Sequence, residues 1–242
     1  MRLSAKVALT RELGNNEKLG ALLREKNIEC VEIPCIAFGP GRDLHRLGEA
    51  ILQCDIIVLS SPQAANVFLE RWNLMKRPKV KIATVGKGTS KPLILSGITP
   101  FFEPSDSTAA TLSAELPDTY GKNVLYPTSA IAESVMQNGL EKRGFTVTRL
   151  NTYETVEAIW SNDNIMEARE CDIVTFASPS AVRTWASRCG DRFVAVAIGP
   201  TSAKAASALS FKKVMCPEGS KGVDAWAKLV IEAVEDFDFG AC

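Results

Sequence analysis

The chain has 242 residues, 46% of them hydrophobic, and its 28 lysines and arginines balance 28 aspartates and glutamates. This length suits two domains of roughly 100–120 residues. The charge balance gives no overall attraction to nucleic acid or to a membrane surface, and no apolar run approaches the about 18 residues that a membrane span needs.

Short apolar runs alternate with amphipathic stretches of helical length, a pattern typical of parallel α/β structure. In the first half we predict strands at Lys6–Thr10, Cys30–Pro34, Ile56–Ser60, Lys79–Val85 and Thr99–Glu103. The predicted helices of this half are Asn16–Asn27, Asp43–Gln53, Pro62–Trp72, Gly88–Ser96 and Thr108–Leu116. In the second half the predicted strands lie near Asn123–Tyr126, Phe145–Leu150, Asp172–Phe176, Val194–Ile198 and Lys213–Cys216. Five strands per half predict two flavodoxin-like parallel-sheet domains.

The two halves repeat each other in sequence. The segment Cys54-Asp55-Ile56-Ile57-Val58 with Ser61-Pro62 recurs as Cys171-Asp172-Ile173-Val174 with Ser178-Pro179, at an offset of 117 positions. Further along, Val85-Gly86 matches Ile198-Gly199 at an offset of 113. We therefore infer an internal duplication, whose two units would face each other across a cleft that the repeated turns line.

Two segments interrupt the alternation, and both follow the second strand of a repeat. Ile36–Arg42, which contains Gly39-Pro40-Gly41, and Asn151–Trp160 are predicted to be irregular. Two contiguous domains divided near Pro117–Gly121 fit this pattern. A chain that crosses between domains at the two irregular segments fits it equally well.

Small hydroxylated residues follow several of the predicted strands where helices begin. In parallel sheets, ligands bind beyond the carboxyl ends of the strands, and helix-start N–H groups with hydroxyls suit carboxylates or phosphates. Plain helix capping is the alternative for any one of these turns, but the turns recur in two matching sets, which also include Pro217 to Lys221. The candidate substrate-binding residues are Thr10, Arg11, Ser60, Ser61, Gly86, Thr89, Ser107, Thr108, Thr128, Ser129, Ser178, Ser180, Gly199, Thr201 and Ser202.

The sequence lacks the residue patterns of several common catalytic, nucleotide-binding and metal-binding sites. His45 is the single histidine, so a Ser-His-Asp triad is not expected. Gly86–Ser90 lacks the spacing of a P-loop, and no G-x-G-x-x-G follows the first strand. The seven cysteines form no CxxC pair, which fits reduced thiols rather than a zinc site or a disulfide framework. We therefore expect a protein that uses neither a metal nor a cofactor. The reduced cysteines indicate a reducing compartment.

Tyr153 is the candidate catalytic residue. It lies in Asn151-Thr152-Tyr153-Glu154-Thr155, within one of the two candidate crossover segments. A phenol can donate a proton or a hydrogen bond to a departing oxygen. A packed aromatic with a satisfied hydroxyl is the equally weighted alternative.

An ordered set of motifs along nearly the whole chain resembles the uroporphyrinogen-III synthase family. The motifs are Ser60 to Ala64, Val85 to Thr89, Val124 to Pro127, Lys142 to Tyr153, Ala177 to Val182 and Ile198 to Thr201. The sequences of Leu150 to Tyr153 and of Ser178 to Arg183 look most like those of plant, plastid-type members.

The resemblance implies a domain arrangement, a reaction and a location. Residues 1–34 and 158–242 would form one domain and 38–150 the other, with 35–37 and 151–157 as a two-stranded linker. Family members close linear hydroxymethylbilane to uroporphyrinogen III with loss of water and inversion of ring D, on the route to haem and chlorophyll, without a cofactor. Tyr153 matches the tyrosine proposed to help the hydroxyl depart. The protein would be a monomer in the plastid stroma, with its transit peptide absent from this sequence, or cytoplasmic if it is not plant-like.

Two other classes of function remain open at this stage. A non-catalytic two-domain protein that binds an anionic metabolite would share the same turns. A response-regulator-like scaffold is disfavoured, because the first strand ends in Leu9-Thr10-Arg11 and lacks an adjacent acidic pair.

Overall fold

The structure is a computed structural model that describes residues 5–219 and 222–240. Within these residues the strands are β1 (Val7–Leu9), β2 (Cys30–Glu32), β3 (Ile36–Pro40), β4 (Ile56–Leu59), β5 (Ile82–Thr84), β6 (Asn123–Ser129), β7 (Thr146–Glu157), β8 (Ile173–Phe176), β9 (Val194–Ala197) and β10 (Lys213–Met215). The helices are α1 (Glu17–Arg24), α2 (Leu47–Gln53), α3 (Pro62–Leu74), α4 (Lys87–Leu95), α5 (Ala109–Glu115), α6 (Val135–Lys142), α7 (Asn162–Arg169), α8 (Pro179–Cys189), α9 (Pro200–Ala208) and α10 (Val223–Gly240). A 3-10 turn at Leu44–Arg46 precedes α2.

The chain divides into two compact units. Unit 1 contains the described residues up to Phe38 and from Val156 onward, and unit 2 is Gly39–Thr155. The described strands form one five-stranded sheet in order β10-β9-β8-β1-β2 and another in order β3-β7-β6-β4-β5. The α/β class with two sheets built mainly from parallel strands is confirmed.

The first sheet buries both of its faces, because side chains alternate along each strand. Val7 packs on one face in a cluster with Trp226 of α10, while the next residue, Ala8, packs on the other face with Val174 and Trp185 of α8. The four strand pairs are parallel. Renumbered along the unit, the strand order is 2-1-3-4-5, which is the flavodoxin-like order.

The second sheet has the same core with its strands in a different chain order. At the offsets seen in the sequence, β6, β7, β4 and β5 correspond to β1, β2, β8 and β9, and they lie in the same spatial sequence. The place of β10 is taken by a parallel bridge between Ala83 and Phe102. The remaining strand, β3, adds to the outer edge of β7. The duplication in the sequence is therefore a duplication of structure.

One small contact shows how closely the repeat is kept. The Asp172 carboxylate accepts a hydrogen bond from the backbone N–H of Lys6 at 3.0 Å. The Asp55 carboxylate accepts one from the backbone N–H of Asn123 at 2.9 Å. Both pairs join the start of a repeated strand to the start of its neighbour, so the two aspartates have the same structural role.

Three predictions about local structure are wrong. Thr99–Glu103 is not a strand beyond its single bridge at Phe102, because it makes only two backbone hydrogen bonds to β5, from the Phe101 N–H to Ile82 and from the Thr84 N–H to Phe102. Ile36–Arg42 is not irregular, since β3 covers most of it, and an edge strand tolerates proline at its end. Most of Asn151–Trp160 belongs to β7, whose β-branched and aromatic residues favour extended backbone.

Candidate functional site

In each unit the carboxyl ends of the strands carry the predicted substrate-binding residues. Because the paired strands are parallel, these ends meet at one edge of each sheet. In unit 1 the edge holds Thr10, Arg11, Ser178, Ser180, Gly199, Thr201 and Ser202. In unit 2 it holds Ser60, Ser61, Gly86, Thr89, Thr128 and Ser129 beyond or at the ends of β4, β5 and β6, with Ser107 and Thr108 in the segment after Phe102.

The structure brings Tyr153 to this edge of unit 2 and pairs it with Ser61. The Tyr153 phenol oxygen and Ser61 Oγ are 2.8 Å apart. Ser61 Oγ also accepts the backbone N–H of Ala64 at 3.0 Å, which makes Ser61 the N-cap of α3. Ser61 is therefore a helix cap, as the first alternative predicted, and the same hydroxyl also contacts the phenol of the candidate catalytic residue.

The environment of Tyr153 favours its protonated form. The residue is buried, with 7% of its surface exposed. Burial raises the pKa of the phenol, and nearby Tyr126 raises it further, while the hydrogen bond to Ser61 partly opposes the rise. At neutral pH the phenol therefore carries its proton and can act as a hydrogen-bond or proton donor.

A second phenol–serine pair lies beside the first. The Tyr126 hydroxyl is 3.2 Å from Ser60 Oγ, and Tyr126 is 3% exposed. The sequence motif Val124 to Pro127 contained Tyr126, but nothing in the pattern distinguished its hydroxyl from that of a core tyrosine. The two pairs place consecutive serines, Ser60 and Ser61, against two buried phenols.

The turn after β5 needs a glycine at position 86. A Cβ atom on Gly86 would lie 3.0 Å from the Ser107 Cβ and closer still to its Oγ. This approach brings Ser107 against the start of α4, where the first backbone N–H groups have no intrahelical acceptor. Gly86 and Ser107, which the sequence placed in separate turns, are thus neighbours.

Sequence reasoning missed a hydroxyl–carboxylate cluster next to this turn. The Ser90 hydroxyl donates to Glu103 Oε1, and Thr84 Oγ1 lies 2.5 Å from Ser90 Oγ. Thr84 and Ser90 are buried. Position at a strand end was a usable signal for Thr84 and Glu103, but the predicted set of binding residues did not include them.

The edge of unit 1 is organised around the start of α8. Ser178 Oγ accepts the backbone N–H of Ala181 at 3.2 Å and lies 2.9 Å from Ser180 Oγ. Arg11 is partly exposed, and its guanidinium is 3.6 Å from the Glu12 carboxylate. Thr201, in the first turn of α9, is exposed.

Several of the predicted residues have buried side chains, namely Thr10, Thr89, Thr128, Ser129 and Ser202. The Thr10 hydroxyl donates to the carbonyl of Thr175 and so ties β1 to β8. Burial gives these side chains a packing role, and their contact with a ligand stays a prediction. Ser220 and Lys221, which belong to the predicted turn Pro217 to Lys221, lie outside the described residues.

The described residues offer neither a metal-binding cluster nor a membrane-spanning helix. They contain no group of three histidine, cysteine or acidic side chains placed to hold a metal ion. None of their helices combines the length and the apolar character needed to cross a bilayer.

Known proteins resemble this chain in sequence and in fold. Residues 17–224 match the family model described as uroporphyrinogen-III synthase HemD. The chain is 39% identical to the chloroplastic uroporphyrinogen-III synthase of Oryza sativa subsp. japonica, over 94% of this chain and 80% of that protein. It is 28% identical to the porphyrin biosynthesis protein HemD of Ruminiclostridium josui, over 89% of this chain and 46% of that longer protein.

Two solved structures share the fold at low sequence identity. A mutant uroporphyrinogen III synthase from the extremely thermophilic bacterium Thermus thermophilus has a TM-score of 0.56 and 18% identity, over 95% of this chain and 98% of that one. The uroporphyrinogen-III synthetase of Helicobacter pylori has a TM-score of 0.65 and 12% identity, over 95% and 99%.

Proposed function

The chain belongs to the uroporphyrinogen-III synthase family, and from this premise we propose that it closes linear hydroxymethylbilane to uroporphyrinogen III. As a member it is a cofactor-independent cyclising lyase of porphyrin biosynthesis. The observation that carries the proposal is the 39% identity over 94% of the chain to a chloroplastic enzyme of that name.

Tyr153 is the residue to which we assign departure of the substrate hydroxyl. Its phenol keeps its proton at neutral pH because its pKa is raised, chiefly by burial. Ser61 Oγ accepts the Ala64 N–H and is 2.8 Å from the phenol oxygen. In the arrangement we propose, Ser61 donates its own hydrogen to that oxygen, which directs the phenolic proton to the departing hydroxyl.

Loss of the hydroxyl as water leaves an azafulvenium-like cation on the substrate. Ring D then attacks through its substituted carbon, a spiro intermediate forms, and the ring ends up inverted. Because free substrate closes spontaneously to the type I isomer, the enzyme has to favour one conformation of a flexible chain. Catalysis of this kind comes from positioning and from placement of charge rather than from a cofactor.

The carboxyl edges of the two sheets are the surfaces to which we assign the substrate's eight carboxylates. Hydroxyls and helix-start N–H groups suit carboxylates, which also favour the positive end of a helix dipole. The at least partly exposed side chains at these edges support this assignment best, and they are Arg11, Ser60, Ser61, Ser107, Thr108, Ser178, Ser180 and Thr201.

We further propose the domain limits and the cellular location that family membership suggests. Residues 1–34 with 158–242 would be one domain, 38–150 the other, and 35–37 with 151–157 the linker. A chloroplastic relative of 39% identity supports a place in the plastid stroma. A monomer is proposed because the sequence combines a neutral net charge with no evident exposed apolar stripe.

The direct test of the activity is to supply hydroxymethylbilane and to separate the uroporphyrin isomers after oxidation of the product. The type III isomer should form faster than the spontaneous closure in a parallel sample without enzyme. Predominantly type I product at the rate of that sample would exclude the synthase. Tight substrate binding without turnover would favour the non-catalytic metabolite-binding protein.

A further inference from the structure

Unit 2 contains a cavity at the sheet edge opposite the one that carries Ser61. Its volume is about 490 Å³, within the range of about 300–1,000 Å³ that small-molecule sites occupy. Asp55 and Lys81, which directly precede β4 and β5, form part of its wall. The cavity therefore lies at the amino ends of the strands, whereas Ser61 and Tyr153 lie at the carboxyl end.

The cavity carries an excess of positive charge. Arg77, Lys79 and Lys81 all line it, and within the described residues none of the three is in an ion pair with a carboxylate. The one carboxylate of the wall, Asp55, accepts the N–H of Asn123 at 2.9 Å, so three cations share the wall with one carboxylate. Asp172 makes the same contact in unit 1, so Asp55 serves the fold.

The cationic groups are held against aromatic rings. The Arg77 guanidinium lies 5.3 Å from the Trp72 ring centroid, and its Nε donates to Asn73 Oδ1 at 2.9 Å. The Trp72 indole N–H donates to the Pro78 carbonyl at 2.8 Å, so the indole orientation is fixed. Lys81 Nζ lies 4.5 Å from the ring centroid of Tyr120. Contacts of this kind orient a cation while leaving its N–H groups able to bind an anion.

The backbone that presents Arg77 is unusual. Lys76 and Arg77 have φ angles of 60° and 57°, a left-handed conformation that residues with a Cβ atom rarely adopt. The turn ends α3, since the Lys76 N–H donates to the Asn73 carbonyl at 3.2 Å and the Arg77 N–H to the Trp72 carbonyl at 3.0 Å, as at many helix C-termini. It holds Arg77 next to Trp72.

The corresponding segment of unit 1 does not share this charge. At the offset of 113, the positions of Arg77, Lys79 and Lys81 are taken by Gly190, Arg192 and Val194. Arg192, the one cation among them, covers the Phe193 ring at 4.2 Å and donates to backbone carbonyls. The cationic lining therefore belongs to unit 2 and is not a product of the repeat.

We propose that the unit 2 cavity binds a small organic anion, with its phosphate or carboxylate group against Arg77, Lys79 and Lys81 and its apolar part against Trp72 and Ile98. Arginine and lysine with no carboxylate partner are suited to such groups. Trp72, Pro78, Val80 and Ile98 supply the apolar lining. The site is separate from the sheet edge that carries Tyr153 and does not depend on the reaction proposed for it.

Calorimetric titration of the full chain tests this site, with phenyl phosphate, benzoate and inorganic phosphate as probes. We expect phenyl phosphate or benzoate to bind with a Kd below about 1 mM, and inorganic phosphate to bind at least about tenfold more weakly because it lacks an apolar part. A preference for phenyl phosphate identifies a phosphate site, and a preference for benzoate a carboxylate site. Failure of both organic probes to bind at about 10 mM, or equal binding of inorganic phosphate, would overturn the proposal.

Variants locate the bound probe. Arg77→Gln with Lys81→Gln should weaken binding at least about tenfold, since two charge-assisted contacts are lost, and Lys79→Gln alone tests the site without disturbing an aromatic contact. Lys142→Gln, an exposed charge on α6, is the matched control and should bind as the wild type does. Unchanged affinity in the cavity variants, or loss of binding in Tyr153→Phe, would place the probe elsewhere and contradict the assignment.

Discussion

Replacing Tyr153 by phenylalanine removes one oxygen and leaves the buried ring in place. The lost contact is the 2.8 Å hydrogen bond to Ser61, whose net contribution to stability is about 0.5–1.5 kcal/mol. A positioned proton donor contributes about 10²-fold or more to the rate, and a loss of about 10²-fold corresponds to about 2.7 kcal/mol of activation free energy. We therefore expect turnover of hydroxymethylbilane to fall roughly 10²-fold while the fold survives.

Tyr126→Phe is the matched control for this variant. It removes a phenol hydroxyl that is equally buried and that contacts the neighbouring serine, Ser60, at 3.2 Å. Urea unfolding should show a similar loss of about 0.5–1.5 kcal/mol in both variants, but Tyr126→Phe should keep its turnover within about threefold of wild type. Wild-type rates in Tyr153→Phe, or equal rate losses in both variants, would refute the role of Tyr153.

The pH dependence of the rate adds an independent test of the same residue. Burial raises the pKa of the Tyr153 phenol, so the donor form persists beyond pH about 10, where a free tyrosine ionises. The stability that this shift contributes is fully present below pH about 10 and is lost as the pH rises through the folded-state pKa. Turnover should thus show an alkaline decline above pH about 10 that Tyr153→Phe lacks. A Tyr153-dependent decline near pH about 8, well below the ordinary tyrosine pKa, would contradict this reading.

Two further variants and one labelling experiment test other parts of the structure. Gly41→Ala should lower the free energy of unfolding by roughly 1–3 kcal/mol, because its Cβ would collide with the Asn151 backbone. Gly88→Ala is the control and should cost nothing, since a Cβ there meets nothing within 4 Å. Equal urea midpoints of the two variants would contradict the collision. Ser178→Ala should raise KM without lowering kcat if Ser178 holds a substrate carboxylate equally before and during the reaction, whereas unchanged kinetics would leave it a helix cap. Burial raises the pKa of the Cys54 thiol to about 11. Iodoacetamide at pH about 8 should therefore label Cys54 roughly 10²-fold more slowly than a free cysteine, as measured by peptide mass spectrometry. Labelling of the folded protein at the rate seen in urea would contradict the raised pKa.

The sequence predicted the fold well where local pattern and duplication agreed. Alternation of strands and helices, with proline at the first position of α3 and α8, predicted most elements within a few residues. It failed where tertiary context decides. Gly39-Pro40-Gly41 indicates a break by composition, yet β3 runs to Pro40 because an edge strand needs no N–H there. Thr99–Glu103 has the composition of a strand but makes only two backbone hydrogen bonds to β5, because the length of a ladder is set by the neighbouring strand and not by local composition.

The sequence predicted where the residues of the candidate site lie, but not which of their side chains contact each other. Residues at strand ends lie at the carboxyl edges, as parallel pairing requires. That Ser61 contacts Tyr153 depends on the register in which β6 joins β4 to β7, and no local pattern encodes that register. The burial of Thr10 could not be predicted either. A threonine after a strand has the same sequence context whether it faces a ligand or a neighbouring strand.

The most direct measurement follows the fate of ring D itself. Hydroxymethylbilane labelled with ¹³C at the ring D position that carries the propionate would be converted by the purified chain, and the product examined by NMR. Our account predicts that the acetate and propionate positions of ring D are exchanged relative to the direction of the macrocycle. Product in which ring D keeps its original orientation would contradict it.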